Sequence, residues 1–181
     1  MATGDLDSAL RGYLQTGERL KWTGAPAQGF RTSPQDLFMI PFSLLWGGFA
    51  IYWESSVLSS GAPGFFDLWG IPFVAVGLYM IFGRFIVDAW VRSRTIYGVT
   101  DRRALLLRRA FGETLNAVPL DQNVRLRAEA NGVGSIEFGQ PTSMFSGNRN
   151  SGFWTPALAP GVRFIGIDNV RDVYRLVSPG A

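Results

Sequence analysis

Apolar positions along the chain follow one pattern up to about residue 91 and a different pattern after it. Residues 37–53, LFMIPFSLLWGGFAIYW, contain no charge, and a second apolar run at residues 68–82 continues past Arg84 to about Trp90. As a helix, the first run would span roughly 25 Å. Two buried core helices of a soluble protein are the alternative, but neither run has the polar face of a surface-packed helix. We therefore predict a two-helix transmembrane hairpin over residues 37–91.

Charged residues around the hairpin predict its orientation. Basic residues lie on both sides of it, whereas the loop at residues 54–67 contains two acids and no base. Because loops rich in Arg and Lys stay on the cytoplasmic side, we expect both termini to be cytoplasmic. The flanking bases are Arg11, Arg19, Lys21 and Arg31 before the hairpin and Arg92, Arg94, Arg102 and Arg103 after it.

Short alternating runs replace the continuous apolar pattern after residue 92 and predict an antiparallel β meander. The predicted strands cover residues 94–99, 103–109, 113–120, 123–130, 134–140 and 162–167. Asp168 is the predicted N-cap of a final amphipathic helix, whose apolar positions Val170, Val173, Tyr174 and Val177 have helical spacing. The chain thus divides into an N-terminal cytoplasmic segment (1–36), the hairpin (37–91) and a cytoplasmic β-rich domain (92–181).

Composition excludes most catalytic chemistry. The chain has no Cys and no His, which removes thiolate nucleophiles, imidazole bases and nearly all transition-metal sites. Its carboxylates are scattered without a spacing that would pair two of them. We therefore expect no enzyme activity, no cofactor, no metal and no small-molecule substrate. The net charge of +3 raises the possibility of nucleic acid as a partner, but without an aromatic and basic platform we expect none.

Three sequence segments carry a resemblance to a known family. Gly17, Glu18, Trp22, Gly24 and Pro26 precede the hairpin, RSRTIYGVTDRR follows it at residues 92–103, and GVGSIEFG lies at residues 132–139. In this order the segments resemble the membrane-anchored bacterial pleckstrin-homology-like (PH-like) family. The resemblance implies a bent seven-stranded sheet or barrel closed by the C-terminal helix. Since six strands are predicted, residues 21–23 or the region around Phe153 would supply the seventh.

We expect a location in the bacterial inner membrane and a non-enzymatic binding or scaffolding role at its cytoplasmic face. The alternative is an accessory subunit of a larger respiratory or photosynthetic membrane complex. In either case we expect the lipid bilayer as a partner, together with another membrane protein or a second copy of the chain. Small residues in the spans, Gly47, Gly48, Ala50, Gly70, Ala75 and Gly77, would allow close helix packing.

Two sets of residues are candidate contact sites. One is a basic cluster beside the membrane, where each Arg gains about 1 kcal/mol near an anionic leaflet. The same charges are also explained by topology alone. The other is Phe153 and Trp154, in the Gly- and Ser-rich stretch 140–161, which form either a buried clip or a partner contact. The basic cluster consists of Arg84, Arg92, Arg94, Arg102, Arg103, Arg108 and Arg109.

Overall fold

The computed structural model describes residues 3–29, 36–61, 64–120, 123–128, 132–139, 156–158 and 161–178. Its helical elements are α1 (Thr3–Arg11), α2 (Asp36–Ser59), α3 (Gly64–Leu78), a π-helical turn (Tyr79–Gly83), α4 (Arg84–Ser93), a 3-10 turn (Pro156–Leu158) and α5 (Val170–Val177). Its strands are β1 (Leu20–Gly24), β2 (Thr95–Thr100), β3 (Arg103–Arg108), β4 (Thr114–Pro119), β5 (Val124–Ala128), β6 (Gly134–Phe138) and β7 (Arg163–Ile167).

Two helices are long and apolar enough to cross a membrane: α2, and the continuous helix Leu68–Ser93. They pack against each other at glycines, where a Cβ atom added to Gly77 would lie 2.8 Å from the Cα atom of Gly47. Gly48, by contrast, has open space where its side chain would be. The predicted small residues therefore serve contact within the hairpin at Gly47 and Gly77, and Gly48 faces away from it.

The connection between the two helices is shorter than the predicted loop 54–67. Helix α2 continues to Ser59, and α3 begins at Gly64. Serine hydroxyls in this stretch turn back onto the helix: those of Ser55 and Ser56 both donate to the carbonyl of Tyr52 at 2.8 Å. A stretch that looks like a loop in sequence is therefore helical to Ser59, and its serine hydroxyls bond to helix carbonyls.

The second long helix leads directly into the β domain. Its π-helical turn, which the sequence did not predict, lies immediately before Arg84, and the helix then continues as α4 to Ser93. Strand β2 begins at Thr95, so a single residue separates helix from strand. The β domain is therefore joined to the candidate span without a flexible linker.

Seven strands form two antiparallel sheets, of four strands (β1-β2-β3-β4) and three strands (β5-β6-β7). The six strands predicted after the hairpin are all present, and the seventh, β1, comes from before the hairpin. It pairs with β2 through partners such as Thr23 with Gly98 and Gly24 with Tyr97. The four-stranded sheet thus joins segments from both sides of the hairpin. Among the described residues the sheets do not close into a barrel.

The final helix, α5, has its predicted apolar face but not its predicted cap. Val170, Val173 and Val177 are buried, as their spacing indicates. The residue before the helix is Asn169, which adopts a left-handed conformation at φ 53° and makes no side-chain capping bond. The assignment of Asp168 as N-cap is therefore wrong, because the N-cap position is occupied by the next residue, Asn169.

Apolar side chains pack on both faces of the four-stranded sheet. Between the two sheets, the ring of Phe164 stacks on Tyr97 with centroids 4.6 Å apart, and α5 covers the same cluster. On the other face, Leu6 and Leu10 of α1 pack against the sheet. A Cβ atom on Gly98 would lie 2.6 Å from a methyl carbon of Leu10, so a larger residue at this strand position would require the Leu10 side chain to shift. The inner face, between the sheets, holds the candidate site.

Candidate functional site: an arginine-lined recess

The seven arginines of the predicted basic cluster do not form one surface. Arg84 and Arg92 are buried, and Arg103 is partly buried, each in an ion pair with a carboxylate. Arg108 is partly buried on the inner face of the sheet. The exposed members are Arg94, Arg102 and Arg109.

Distance along the sheet separates the exposed arginines further. Arg102 precedes β3, whereas Arg109 follows it. A strand rises about 3.3 Å per residue, so these two residues lie roughly 20 Å apart. Only the Arg109 end of β3 is beside α4, because the backbone N–H of Arg109 donates to the carbonyl of Arg94 at 2.9 Å. The structure therefore does not bring Arg102 together with Arg94 and Arg109, and lipid contact by the exposed arginines stays a prediction.

Glu18 and Arg103 form the most completely bonded of the ion pairs. Arg103 donates to both carboxylate oxygens of Glu18, from Nε at 2.8 Å and from a terminal nitrogen at 2.9 Å. The hydroxyl of Thr100 and the backbone N–H of Gln15 also donate to this carboxylate, at 2.8 and 2.7 Å. Hydrogen bonding from Arg103 is the main cause that lowers the pKa of Glu18 to about 2.

Arg92 and Asp88 tie α4 to two other segments. Arg92 Nε donates to Asp88 at 2.8 Å, and its terminal nitrogens donate to the carbonyls of Ala27 and Gly29 at 2.5 and 2.6 Å. Asp88 also accepts a hydrogen bond of 2.9 Å from the backbone N–H of Ala157. The Nε and both terminal nitrogens of Arg92 are thus hydrogen-bonded, and this side chain fixes the end of α4.

Arg84 lies immediately after the π-helical turn and pairs with Asp36 at the start of α2, at 2.7 Å. It is 4% exposed, and its Nε and second terminal nitrogen have no hydrogen-bond partner. Its guanidinium carbon lies 4.3 Å from the ring centroid of Phe85. The pair fastens the two long helices together at the end of the hairpin nearest the β domain.

A recess opens between the two sheets beside the end of α4. Thr95 and Tyr97 of β2, Arg108 of β3, Arg163 and Ile165 of β7, and Arg92 of α4 line it. Its empty volume is about 320 Å³, open solvent at its mouth included, and the centre of a water-sized group can occupy only about 10 Å³ of it, which is room for about one such group. Three arginines, Arg92, Arg108 and Arg163, therefore line a small recess.

Arg108 differs from the other arginines of the recess because the described residues offer it no carboxylate within ion-pair distance. Its Nε atom is buried and has no hydrogen-bond partner. Burial is the main cause that lowers the pKa of Arg108. Arg163 has only a distant partner, a Glu137 oxygen 3.9 Å away. The recess therefore carries more positive than negative charge.

Tyr97 forms the apolar side of the recess and connects the two sheets. Its hydroxyl accepts a hydrogen bond of 3.1 Å from the backbone N–H of Ile165. Burial is the main cause that raises the pKa of Tyr97 to about 12, so the hydroxyl stays neutral. Tyr97, Thr95 and Arg163 were not among the site residues predicted from the sequence. The sequence feature that could have indicated the recess is Arg108, because it shares the inward face of β3 with the apolar Leu106 and Ala104.

A second surface feature is an exposed aromatic patch at the α4 end of the domain. Trp90 of α4 is 37% exposed, and Phe111, in the turn between β3 and β4, is 73% exposed. Their ring centroids lie 5.0 Å apart, and the guanidinium carbon of Arg94 lies 4.8 Å from the Trp90 ring. We call Trp90, Phe111 and Arg94 the aromatic patch. Two exposed rings beside a cation match the composition of membrane interfaces.

The other end of the hairpin holds an apolar groove and a buried acid. Trp46, Phe49, Trp53, Trp69 and Phe73 line a groove of about 480 Å³ between α2 and α3. One carboxylate oxygen of Glu54 is buried without a hydrogen-bond partner. A Cβ atom on Gly70 would clash with that oxygen, so the glycine leaves the space that the acid occupies.

Phe153 and Trp154, the predicted partner contacts, lie outside the described residues. Within the described ranges, no group of three or more acidic side chains is placed to hold a metal ion.

The fold and site define a class of protein: a hairpin of two helices, each suited to a membrane by length and composition, that carries a two-sheet β domain with an arginine-lined recess. Comparisons with family models, curated proteins and solved structures find no match to this chain.

Proposed function

We propose that the chain is a membrane-anchored binding or scaffolding protein without enzyme activity, with a PH-like domain at the cytoplasmic face of the bacterial inner membrane. Two antiparallel sheets of four and three strands, followed by a C-terminal helix, support the PH-like assignment. Two candidate spans support the anchor.

The observation that carries the proposal is that one continuous helix runs from the candidate membrane span to the edge of the β domain. A single residue separates the candidate span Leu68–Ser93 from β2, and β1 adds the N-terminal segment to the same sheet. Arg92 and the Arg84–Asp36 pair fasten this junction. A domain fixed in this way presents the same face to the bilayer at all times, as a docking or scaffolding module requires.

The carboxylates of the junction support a non-enzymatic role. Glu18, Asp36 and Asp88 each pair with an arginine, so their charges serve the fold. The chain has neither Cys nor His to provide a nucleophile or a base near neutral pH.

The absence of cysteine permits a direct test of topology. We would introduce single cysteines at Ser60, in the hairpin connection, and at Arg175, which is exposed on α5, and label spheroplasts with a membrane-impermeant maleimide. Ser60→Cys is expected to react in intact spheroplasts, and Arg175→Cys only after permeabilisation. The reverse labelling pattern would mean that the orientation is opposite to the predicted one. Reaction of both cysteine variants in intact spheroplasts would contradict the hairpin. The cysteine-free wild type is the control.

The second candidate role, accessory subunit of a larger membrane complex, is favoured by the aromatic groove, since Phe49 is 63% exposed and Trp69 55% exposed. Extraction in mild detergent followed by native mass spectrometry separates the two roles. Stoichiometric co-migration with a large assembly would support the subunit. Migration alone or as a homo-oligomer would support the autonomous module.

A further inference from the structure

Arg108 is a charged side chain in a position that the fold does not explain. It shares the inner face of β3 with Leu106, opposite Thr95 of β2. Strands normally place apolar residues on such a face. Arg108 is partly buried, and its Nε atom is fully buried. A guanidinium nitrogen removed from water normally has a hydrogen-bond partner, because its desolvation is otherwise costly. An arginine in a protein does not escape this cost by losing its proton.

We propose that the recess binds a terminal oxyanion, a phosphate or carboxylate group, through Arg108 and Arg163. The inference goes beyond the anchored module, since it concerns residues of the β domain alone and does not depend on membrane topology.

The charges around the recess favour an anion. Of its three arginines, Arg92 is neutralised by Asp88 at 2.8 Å, and Arg163 approaches Glu137 only to 3.9 Å. Arg108 has no carboxylate partner among the described residues. An oxyanion with one oxygen inside the recess would accept from Arg108, whose Nε has no partner, and would draw Arg163 from its long contact with Glu137. Charge-assisted bonds of this kind are among the strongest in proteins.

The size of the recess determines which part of a ligand enters. The recess has room for about one water-sized group and is partly open to solvent. It would therefore hold a terminal oxygen of a phosphate or carboxylate, and the rest of the ligand would stay outside. The site therefore recognises the end of a ligand, which a lipid headgroup or a soluble anion would supply equally well.

The test measures thermal unfolding of the full chain in nanodiscs of phosphatidylcholine, with and without inorganic phosphate or acetate, and in nanodiscs containing phosphatidylglycerol. The variant is Arg108→Gln. Its matched control is Arg109→Gln, the neighbouring arginine, which is 42% exposed in its side chain and pairs with Glu113 outside the recess.

The wild type and Arg109→Gln are expected to unfold at a higher temperature when an oxyanion is present, and Arg108→Gln is expected to bind at least about tenfold more weakly. A response to phosphate or acetate identifies a soluble anion as the source. A response only to phosphatidylglycerol identifies the lipid. If neither changes the wild type, or if Arg108→Gln responds like Arg109→Gln, the proposal is overturned.

Stability without added anion distinguishes a ligand site from a structural role. Arg108→Gln removes a partly buried charge that has no carboxylate partner among the described residues, so it is expected to unfold at the same temperature as the wild type or higher. If Arg108→Gln unfolds at a lower temperature with every anion removed, Arg108 serves the fold, and the site is rejected.

Discussion

At the scale of single residues, Glu18 connects two segments that are far apart in sequence. It accepts hydrogen bonds from Arg103 and Thr100. Beside it, the backbone N–H of Arg19 donates to the Asp101 carboxylate, and the backbone N–H of Asp101 donates to the Arg19 carbonyl. The family resemblance rests on Glu18, Thr100, Asp101 and Arg103 among other residues. Their contacts give the motif a structural role, in which it fastens β1 to the turn between β2 and β3.

Replacement of Glu18 by Gln is expected to destabilise the β domain by about 3 kcal/mol at pH 7, because it leaves the Arg103 charge without its partner. Thermal unfolding of the detergent-solubilised chain measures this loss. Asp172→Asn, which alters an exposed ion pair on α5, is expected to have a much smaller effect. Equal stability of the two variants would contradict the assigned role of Glu18.

The same carboxylate predicts a pH dependence. Its pKa is lowered from 4.5 to about 2, so the folded state favours the ionised form. The resulting stability is fully present above pH 4.5 and is lost as the pH falls from 4.5 towards 2. The difference in unfolding temperature between wild type and Glu18→Gln should therefore narrow across this range. A constant difference down to pH 2 would exclude Glu18 as its source.

At the scale of elements, the hairpin depends on backbone contact between α2 and α3. Gly47 and Gly77 approach so closely that a Cβ atom on Gly77 would displace the facing helix. Close approach of this kind supplies van der Waals contact, the main attraction between helices in lipid.

Gly77→Ala is expected to destabilise the packed hairpin by about 1–3 kcal/mol through overpacking. Gly48→Ala is the matched control, because its Cβ atom meets open space and the change in helix propensity is the same. Resistance of the solubilised chain to thermal unfolding compares the two. A similar loss in both variants would mean that the close contact does not limit stability.

The turn between β3 and β4 carries the aromatic patch and leads to a prediction about lipid contact. Phe111 packs on Trp90 at the end of the candidate span, so the turn should lie in the interface of the bilayer. Phe111→Cys labelled with an environment-sensitive fluorophore should be quenched by nanodisc lipids that carry a quencher near the headgroup. Arg102→Cys, at the far end of β3, should not be. Equal quenching at both positions would contradict the predicted location of this turn in the bilayer interface.

At the scale of the whole molecule, the sequence predicts regular elements well and their junctions less well. Continuous apolar runs and alternating strands depend on local periodicity, so the two long helices and six strands were found. The helical serines after Glu54, the π-helical turn and α1 depend on bonds or packing that periodicity does not register. Asn169 shows the same limit, since its left-handed backbone ends the preceding turn where a conventional cap at Asp168 was expected.

The candidate site was predicted only in its parts. Arg92 and Arg108 were recognised as members of a basic cluster, but the separation of Arg102 from Arg109 and the burial of Arg108 arise from strand pairing. Thr95, Tyr97 and Arg163 lie together because β7 packs opposite β2, a contact between distant segments. The basic cluster predicted from the sequence therefore identified arginine as the residue type of the recess, but not where the recess lies.

The pairing of β1 with β2 also sets an order of events during synthesis. Residues 20–24 are synthesised before either long helix, and their partner strand ends at residue 100. At translation rates of roughly 5–20 residues per second, this first strand waits several seconds without its partner. The four-stranded sheet can therefore be completed only after both helices of the hairpin have been synthesised. A closed sheet indicates that both helices are present in the chain.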